Sequence, residues 1–264
     1  MIDLDLRSCE FCPRLCRVNR EEKPGACGCS ARLLAARAAL HFGEEPCISG
    51  TEGSGTVFFS GCNLHCVFCQ NHKISWERYG KALTVVRLAD IFRELEAKGA
   101  NNINLVTPTP WVTEIIKALK LYRPQVPVLY NTSGYERVEV LRELEGLIDV
   151  WLPDYKYADS ALAARFSGAA DYPAVVRAAL QEMYRQSGNL TLNKEGKAVR
   201  GVMIRHLVLP LHLKNSFAVL DDIAALFGTE QYVSLMFQYT PFIKTRFPEL
   251  NRVLTGRERA RAEA

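Results

Sequence analysis

No apolar run in this chain approaches the roughly 20 residues that a helix needs to cross a bilayer, which excludes a helical membrane protein. Clustered basic charge is also missing. The net charge of +4 over 264 residues is mild and dispersed, which argues against nucleic-acid binding as the main activity. The first residues, Met1-Ile2-Asp3-Leu4-Asp5, lack the basic-then-apolar layout of a signal peptide. Gly53-Ser54-Gly55 is no phosphate loop, because it precedes a strand-like run instead of opening a helix. These absences lead to the expectation of a cytoplasmic protein without membrane or nucleic-acid partners.

What the chain does have is cysteine and apolar bulk. Hydrophobic residues make up 48% of it, enough for a sizeable core. The nine cysteines are an odd number in a chain without an export signal, so they read as metal ligands rather than disulfides. Three of them, Cys62, Cys66 and Cys69, have C-x3-C-x2-C spacing directly after the apolar run Thr56-Val57-Phe58-Phe59. That run predicts a short buried strand with the thiols on the loop at its C-terminal end. A cubane 4Fe–4S cluster normally takes four cysteine ligands, so a loop offering three leaves one iron open. A zinc knuckle short of one ligand, or plain buried thiols, is the bland alternative.

With an aromatic residue, Phe68, before the last cysteine, this loop resembles that of the radical S-adenosylmethionine (SAM) enzymes. Gly61-Cys62-Asn63 before it and Gln70-Asn71 after it are most similar to the pyruvate formate-lyase activating enzyme branch. The resemblance implies a 4Fe–4S cluster on Cys62, Cys66 and Cys69, whose open iron binds SAM. Phe68 would pack near adenine, with Gln70 and Asn71 beside the cofactor. A reduced flavodoxin or ferredoxin would deliver one electron. The resulting 5′-deoxyadenosyl radical would take a hydrogen atom from a glycine of a glycyl-radical enzyme. Another target (peptide, metabolite or RNA) stays open, as does a metal-stapled interaction protein that has lost catalysis.

Upstream, residues 1–50 read as a cysteine-rich leader. Cys9, Cys12, Cys16 and Cys27 would hold zinc or a second Fe–S cluster, or stay as free thiols; Cys29 and Cys47 read as spare thiols. Cys-Pro-Arg-x-Cys-x-Val-Asn-Arg resembles the leader of an uncharacterised activase-like subgroup. Between Ser30 and His41, alanines and leucines favour a helix by propensity, whereas the resemblance implies an extended lead-in.

From Thr56 the pattern alternates strand and helix. Apolar runs end near Phe59, Val106, Asn131, Pro153, Leu209 and Phe237, separated by amphipathic segments. About six units are too few for a closed eight-stranded barrel. The expected fold is therefore α/β, an open partial (β/α)6 barrel of the radical SAM type over residues 51–255. Residues 256–264 form a tail that is expected to be truncated.

The remaining site residues sit at the strand ends. At the second, Thr107-Pro108-Thr109 stands where the family usually carries Gly-Gly-Glu or Gly-Gly-Asp, so the usual carboxylate is absent. At the third, Asn131 and Ser133 would face the methionyl end of SAM, although a helix cap explains Thr132 or Ser133 equally well. At the fourth, Asp154 and Lys156 share a face of an extended segment. They resemble the family's Asp-x-Lys, with a surface ion pair as the alternative. On the fifth, Arg205 would lie near the ribose or carboxylate, while His206 points to the other face as a packed histidine. Gln238-Tyr239-Thr240 at the sixth would close the pocket floor.

Overall fold

The structure is a computed structural model and describes residues 4–263. Its strands are β1 (Leu34–His41), β2 (Ser54–Phe59), β3 (Lys81–Ala82), β4 (Ile103–Val106), β5 (Val128–Thr132), β6 (Val150–Pro153), β7 (Thr191–Leu192), β8 (Ala198–Val202), β9 (Ile204–Leu207) and β10 (Val233–Met236). The helices are α1 (Pro46–Ser49), α2 (His72–Ser75), α3 (Val85–Ala97), α4 (Val112–Leu121), α5 (Val138–Arg142), α6 (Ser160–Ser167), α7 (Tyr172–Ser187), α8 (Leu213–Phe227) and α9 (Gly256–Glu263). One sheet runs β3-β1-β2-β4-β5-β6-β8-β7, and β9 and β10 form a second. The pairs from β2 through β8 are parallel, with antiparallel strands at both edges. The sheet does not close, which fits the expected partial barrel.

Strand register sorts the side chains into two layers. Val57, Leu105, Tyr130, Trp151 and Val202 are successive cross-strand partners. They share the main core with Leu88 and Phe92 of α3 and Ile115 of α4, so this row faces the helices. With a side-chain period of two, the alternate row faces inward. There Leu129, Val150, Leu152 and Met203 pack on Ile48 as a separate plug. The helices follow from the sequence directly. In α3, Leu88, Ile91, Phe92 and Leu95 form one buried face, and the Thr84 hydroxyl caps the start by accepting from Arg87 N.

One ambiguity is resolved and one expectation needs adjusting. The stretch from Ser30 to His41 is the extended lead-in rather than the helix, because β1 pairs antiparallel with β2 from Ala35 to His41. Sheet pairing outweighs alanine's helical preference there. Residues 9–33 contain no helix or strand, whereas β1 and α1 fall within the 1–50 span read as the leader. The run Val202–Leu209 is not one strand. Gly201 has φ 114, and the chain changes partner at Met203, with β8 on β6 and β9 on β10. The two sheets stay joined by a parallel bridge between Asp154 and Arg205. Among the described residues no helix is long and apolar enough to cross a membrane.

Candidate active site

The C-terminal ends of the parallel strands surround a cavity of about 520 Å³, in the size range of ligand clefts. Cys62, Cys66 and Cys69 line it together with Phe68, Gln70 and Asn71. Their loop leaves β2 and is held by its surroundings. Trp111 Nε1 donates to Ser60 O at 2.9 Å, Val67 N to Phe166 O at 2.9 Å and Trp76 Nε1 to Cys66 O at 3.3 Å. Gly61 and His65 take left-handed backbone angles, φ 85 and 54, which fold the loop back under the strand end. Phe68 meets Tyr157, Phe166 and Tyr239 edge-on. The Ser75 hydroxyl donates to Cys69 Sγ at 3.3 Å, a contact that no motif announced.

Burial, then the neighbouring Cys66 and Cys69, push the Cys62 thiol up to about 12. Burial pushes Cys66 up as well, against the opposing pull of Lys156. Burial thus disfavours free thiolates at Cys62 and Cys66, and a bound cation would reverse that. Among the described residues no three His, Cys, Asp or Glu side chains converge on a single ion. A cubane makes no such demand, since each cysteine binds a different iron.

Opposite the thiols lies a ladder of charges. Lys156 Nζ donates to Asp154 Oδ2 at 2.6 Å, and Arg205 Nε donates to Asp154 Oδ1 at 3.1 Å. Arg205 reaches Asn131 Oδ1 at 2.5 Å and Glu44 Oε2 at 3.2 Å. Burial opposes ionisation of Asp154, but Lys156 and Arg205 outweigh it and leave its carboxyl below the ordinary value. Burial likewise works against Lys156, and Asp154 then Cys66 more than restore its charge. This pair is not a surface ion pair: the two side chains are only 16% and 17% exposed. Tyr155, between them, points the other way and donates to Asp222.

Glu44 is the residue that sequence reasoning missed. It lies in the turn between β1 and α1, and the antiparallel return of β1 brings it into the cavity. Besides Arg205, it accepts from Asn104 Nδ2 at 3.2 Å and Asn131 Nδ2 at 3.5 Å. A carboxylate thus stands beside the second strand end after all, supplied by another segment. No local motif marks it; only the fold makes it a neighbour.

The other predicted residues divide. Thr107, Asn131 and Ser133 line the cavity, and Ser133 Oγ is buried without a hydrogen-bond partner. Thr107 sits at φ 58, a strained setting for a β-branched residue, with its N–H bonded to Asn131 O at 2.9 Å. Pro108 and Thr109 do not line the cavity. They turn into the short 3-10 helix Thr109–Trp111, and the Thr109 hydroxyl donates at 2.5 Å to Glu136, a buried carboxylate. Cys9, Cys12, Cys16 and Cys27 lie outside it as well, around a small cavity of their own. Gln238, Tyr239 and Thr240 complete the wall. His206 is packed as expected, with its ring nitrogens 2.6 Å from Tyr155 O and 2.9 Å from Ser216 Oγ.

Residues 56–181 match the family described as the Radical SAM superfamily. Uncharacterized protein MJ0674 of Methanocaldococcus jannaschii is 32% identical over 262 residues, spanning 96% of this chain and 72% of that protein. Among solved structures, anSMEcpe with bound AdoMet and the Cp18Cys peptide shares the fold at a TM-score of 0.51 and 12% identity, over 77% of this chain and 55% of that one. SuiB of Streptococcus suis bound to S-adenosylmethionine aligns at a TM-score of 0.47 and 15% identity, over 70% of this chain and 38% of that one. The chain therefore spans between 38% and 55% of the length of these solved structures.

Proposed function

Since residues 56–181 match the Radical SAM superfamily, we propose that the chain is an enzyme in which a 4Fe–4S cluster and SAM supply a carbon-centred radical for hydrogen-atom abstraction. The observation that carries this reading is one cavity lined by both the three-thiol loop and the Asp154, Lys156 and Arg205 ladder. Cys62, Cys66 and Cys69 would hold three irons. Lys156 and Arg205 are the cations available to the SAM carboxylate, and Glu44 and Asp154 the anions available to its ammonium and sulfonium. In a site walled from water such charges interact more strongly than on a surface. Ser133 Oγ and the Thr107 carbonyl remain as further polar contacts.

Glu44 also bears on the alternative of a lapsed catalyst. That alternative leaned on the missing carboxylate after β4, and Glu44 supplies one in the same cavity. The hydrogen donor we propose is a glycine Cα of a partner glycyl-radical enzyme, with a reduced flavodoxin or ferredoxin as electron source. Support comes from Gly61-Cys62-Asn63 and Gln70-Asn71, the residues on which the activase resemblance rests. Exposed Phe42 and Phe242, close in sequence to the cavity-lining Gly43 and Thr240, are apolar groups that a polypeptide could cover. Cluster and thiols both need a reducing compartment, so the cytoplasm is the proposed location.

The test is anaerobic reconstitution with iron and sulfide, then reduction in the presence of SAM. The expected product is 5′-deoxyadenosine; none from a fully loaded protein refutes the catalytic reading. Adding a glycyl-radical enzyme should then yield a protein radical detectable by electron paramagnetic resonance. Turnover of SAM without that signal, with a peptide, metabolite or RNA consumed instead, overturns the glycyl target alone.

A further inference from the structure

The leader thiols meet behind the cluster loop. Cys9, Cys12, Cys16 and Cys27 border a cavity of about 10 Å³ that Arg20 and Asn63 also line. All four are free cysteines. Tight backbone turns assemble them. Cys9 N donates to Val18 O, and Arg17 N to Cys9 O, both at 3.0 Å, and Leu15 and Arg17 adopt φ 41 and 51. A methyl group on Gly25 would stand 3.2 Å from Cys16 Sγ and 3.7 Å from Cys27 Sγ. The glycine is the space in which the two thiols approach.

Two independent features mark this cavity as more than packed thiols. Arg20 is fully buried; its guanidinium donates to Ser30 O at 2.8 and 3.2 Å and to Pro110 O at 2.6 Å, and its charge faces the Cys9 and Cys27 thiols. The Phe11 and Trp111 rings cover it at 5.6 and 4.9 Å. A buried cation is strongly unfavourable unless anions face it, and the anions within reach of Arg20 are the leader thiolates. Asn63, 2% exposed, has its Oδ1 buried with no partner. A metal held by four thiolates carries net negative charge and answers the first of these demands directly.

Arg14 shows what such a centre would do. It lies between Cys12 and Cys16, and its guanidinium ties the backbone of the cluster loop to the C-terminal end of α6. Nε donates to Asn63 O at 2.9 Å, Nη2 to Leu64 O at 3.4 Å and Ser167 O at 2.9 Å, and Nη1 to Gly168 O at 2.6 Å. We propose that Cys9, Cys12, Cys16 and Cys27 bind a thiolate-held metal centre, zinc or Fe–S, which fixes Arg14 as a brace on the Cys62–Cys69 loop. The brace rests on the radical SAM reading; the metal centre does not. As the side chains stand, no three converge on one ion. Zinc would have to draw the thiols inward, and a multi-iron cluster would have to widen a cavity of about 10 Å³.

The experiment uses the full chain purified without oxygen. In the triple variant Cys62→Ser, Cys66→Ser, Cys69→Ser, elemental analysis should find about one zinc, or several irons with sulfide, per chain. That metal should vanish when Cys12→Ser and Cys16→Ser are added. Should the triple variant not fold, the same count is read as the loss from the parent on changing only Cys9, Cys12, Cys16 and Cys27. No zinc or iron in the triple variant, or no loss from the parent, overturns the site. Arg14→Ala should keep the leader metal but lower cluster loading several-fold and alter the electron paramagnetic resonance shift that SAM induces, with Arg14→Lys restoring part of it. Unchanged loading and an unchanged signal overturn the brace, whether or not SAM is cleaved.

Discussion

Asp154 and Arg205 are neighbours twice over: their backbones form a parallel bridge, and Arg205 Nε donates to Asp154 Oδ1 at 3.1 Å. One contact sews the two sheets together and fixes the charge ladder of the cavity. Removing the guanidinium leaves Asp154 and Glu44 buried without it. Arg205→Ala should therefore destabilise the fold by about 3–5 kcal/mol, read by chemical denaturation of the apoprotein. Destabilisation under about 1 kcal/mol would show that the bridge alone holds the sheets.

Lys156 gives a cleaner probe of binding, because its side chain pairs with Asp154 alone among the described residues. A hydrogen bond to a charged group is worth about 1.5–3 kcal/mol, so Lys156→Ala should weaken SAM binding roughly 10- to 100-fold. Asp154→Asn should show a milder loss, since it removes the group that steadies the lysine. Calorimetric titration of the reconstituted variants checks both. Affinity equal to that of the parent would exclude Lys156 as a cofactor contact.

How much of this was legible in the sequence depends on distance along the chain. The three-thiol loop, the helix faces and the Asp154–Lys156 pair are local patterns, and each lies where spacing placed it. Glu44, Ser75 and the Arg14 brace were not legible, because each acts on residues that only tertiary folding brings near. Thr109 misled for a related reason. Its position after β4 implied the cofactor, but the following 3-10 turn swings its hydroxyl toward Glu136. The strand at Leu34–His41 was ambiguous because alanine carries little information about sheet pairing.

Glu136 should make stability fall as pH rises. Burial raises its carboxyl from 4.5 to about 7, against the opposing donation of Thr109 and Thr132. The folded state thus holds the proton more tightly than the unfolded chain. This contribution is fully present below about pH 4.5 and is lost by about pH 7, a span of roughly 3 kcal/mol. Glu136→Gln keeps a neutral acceptor at the same site, so it should stabilise the protein at pH 8 and change little at pH 5. Parallel stability–pH curves for parent and variant would contradict the assignment.

Cys66→Ala should abolish 5′-deoxyadenosine formation while leaving the fold intact. The core is held by buried apolar side chains such as Phe92, Trp111, Trp151 and Phe166, each worth about 1.5–3 kcal/mol or more. The checks are product analysis after anaerobic reconstitution and an unchanged circular dichroism spectrum. Undiminished product would remove the thiol from the cluster.

Gly61→Ala tests the seam between leader and cluster loop. The new Cβ would lie 2.1 Å from Cys29 Sγ, on a backbone at φ 85. Strain of about 1–2 kcal/mol from the backbone and about 1–3 kcal/mol from overpacking should add up to a clearly lowered denaturation midpoint. Adding Cys29→Gly should recover only the packing part. Full recovery would mean that the backbone setting at Gly61 costs nothing.

Thr107 carries a consequence for how a ligand meets this cavity. A glycine at that point could swing its peptide plane between settings. Thr107 is pinned by its own branching, by the bond to Asn131 O and by Pro108 behind it. The wall is therefore preorganised when the chain folds, and a bound molecule has no ordering entropy to supply at this peptide. Bound and free forms should superpose at Thr107, and a Thr107→Gly variant should bind more weakly through a less favourable entropy, with its enthalpy little changed.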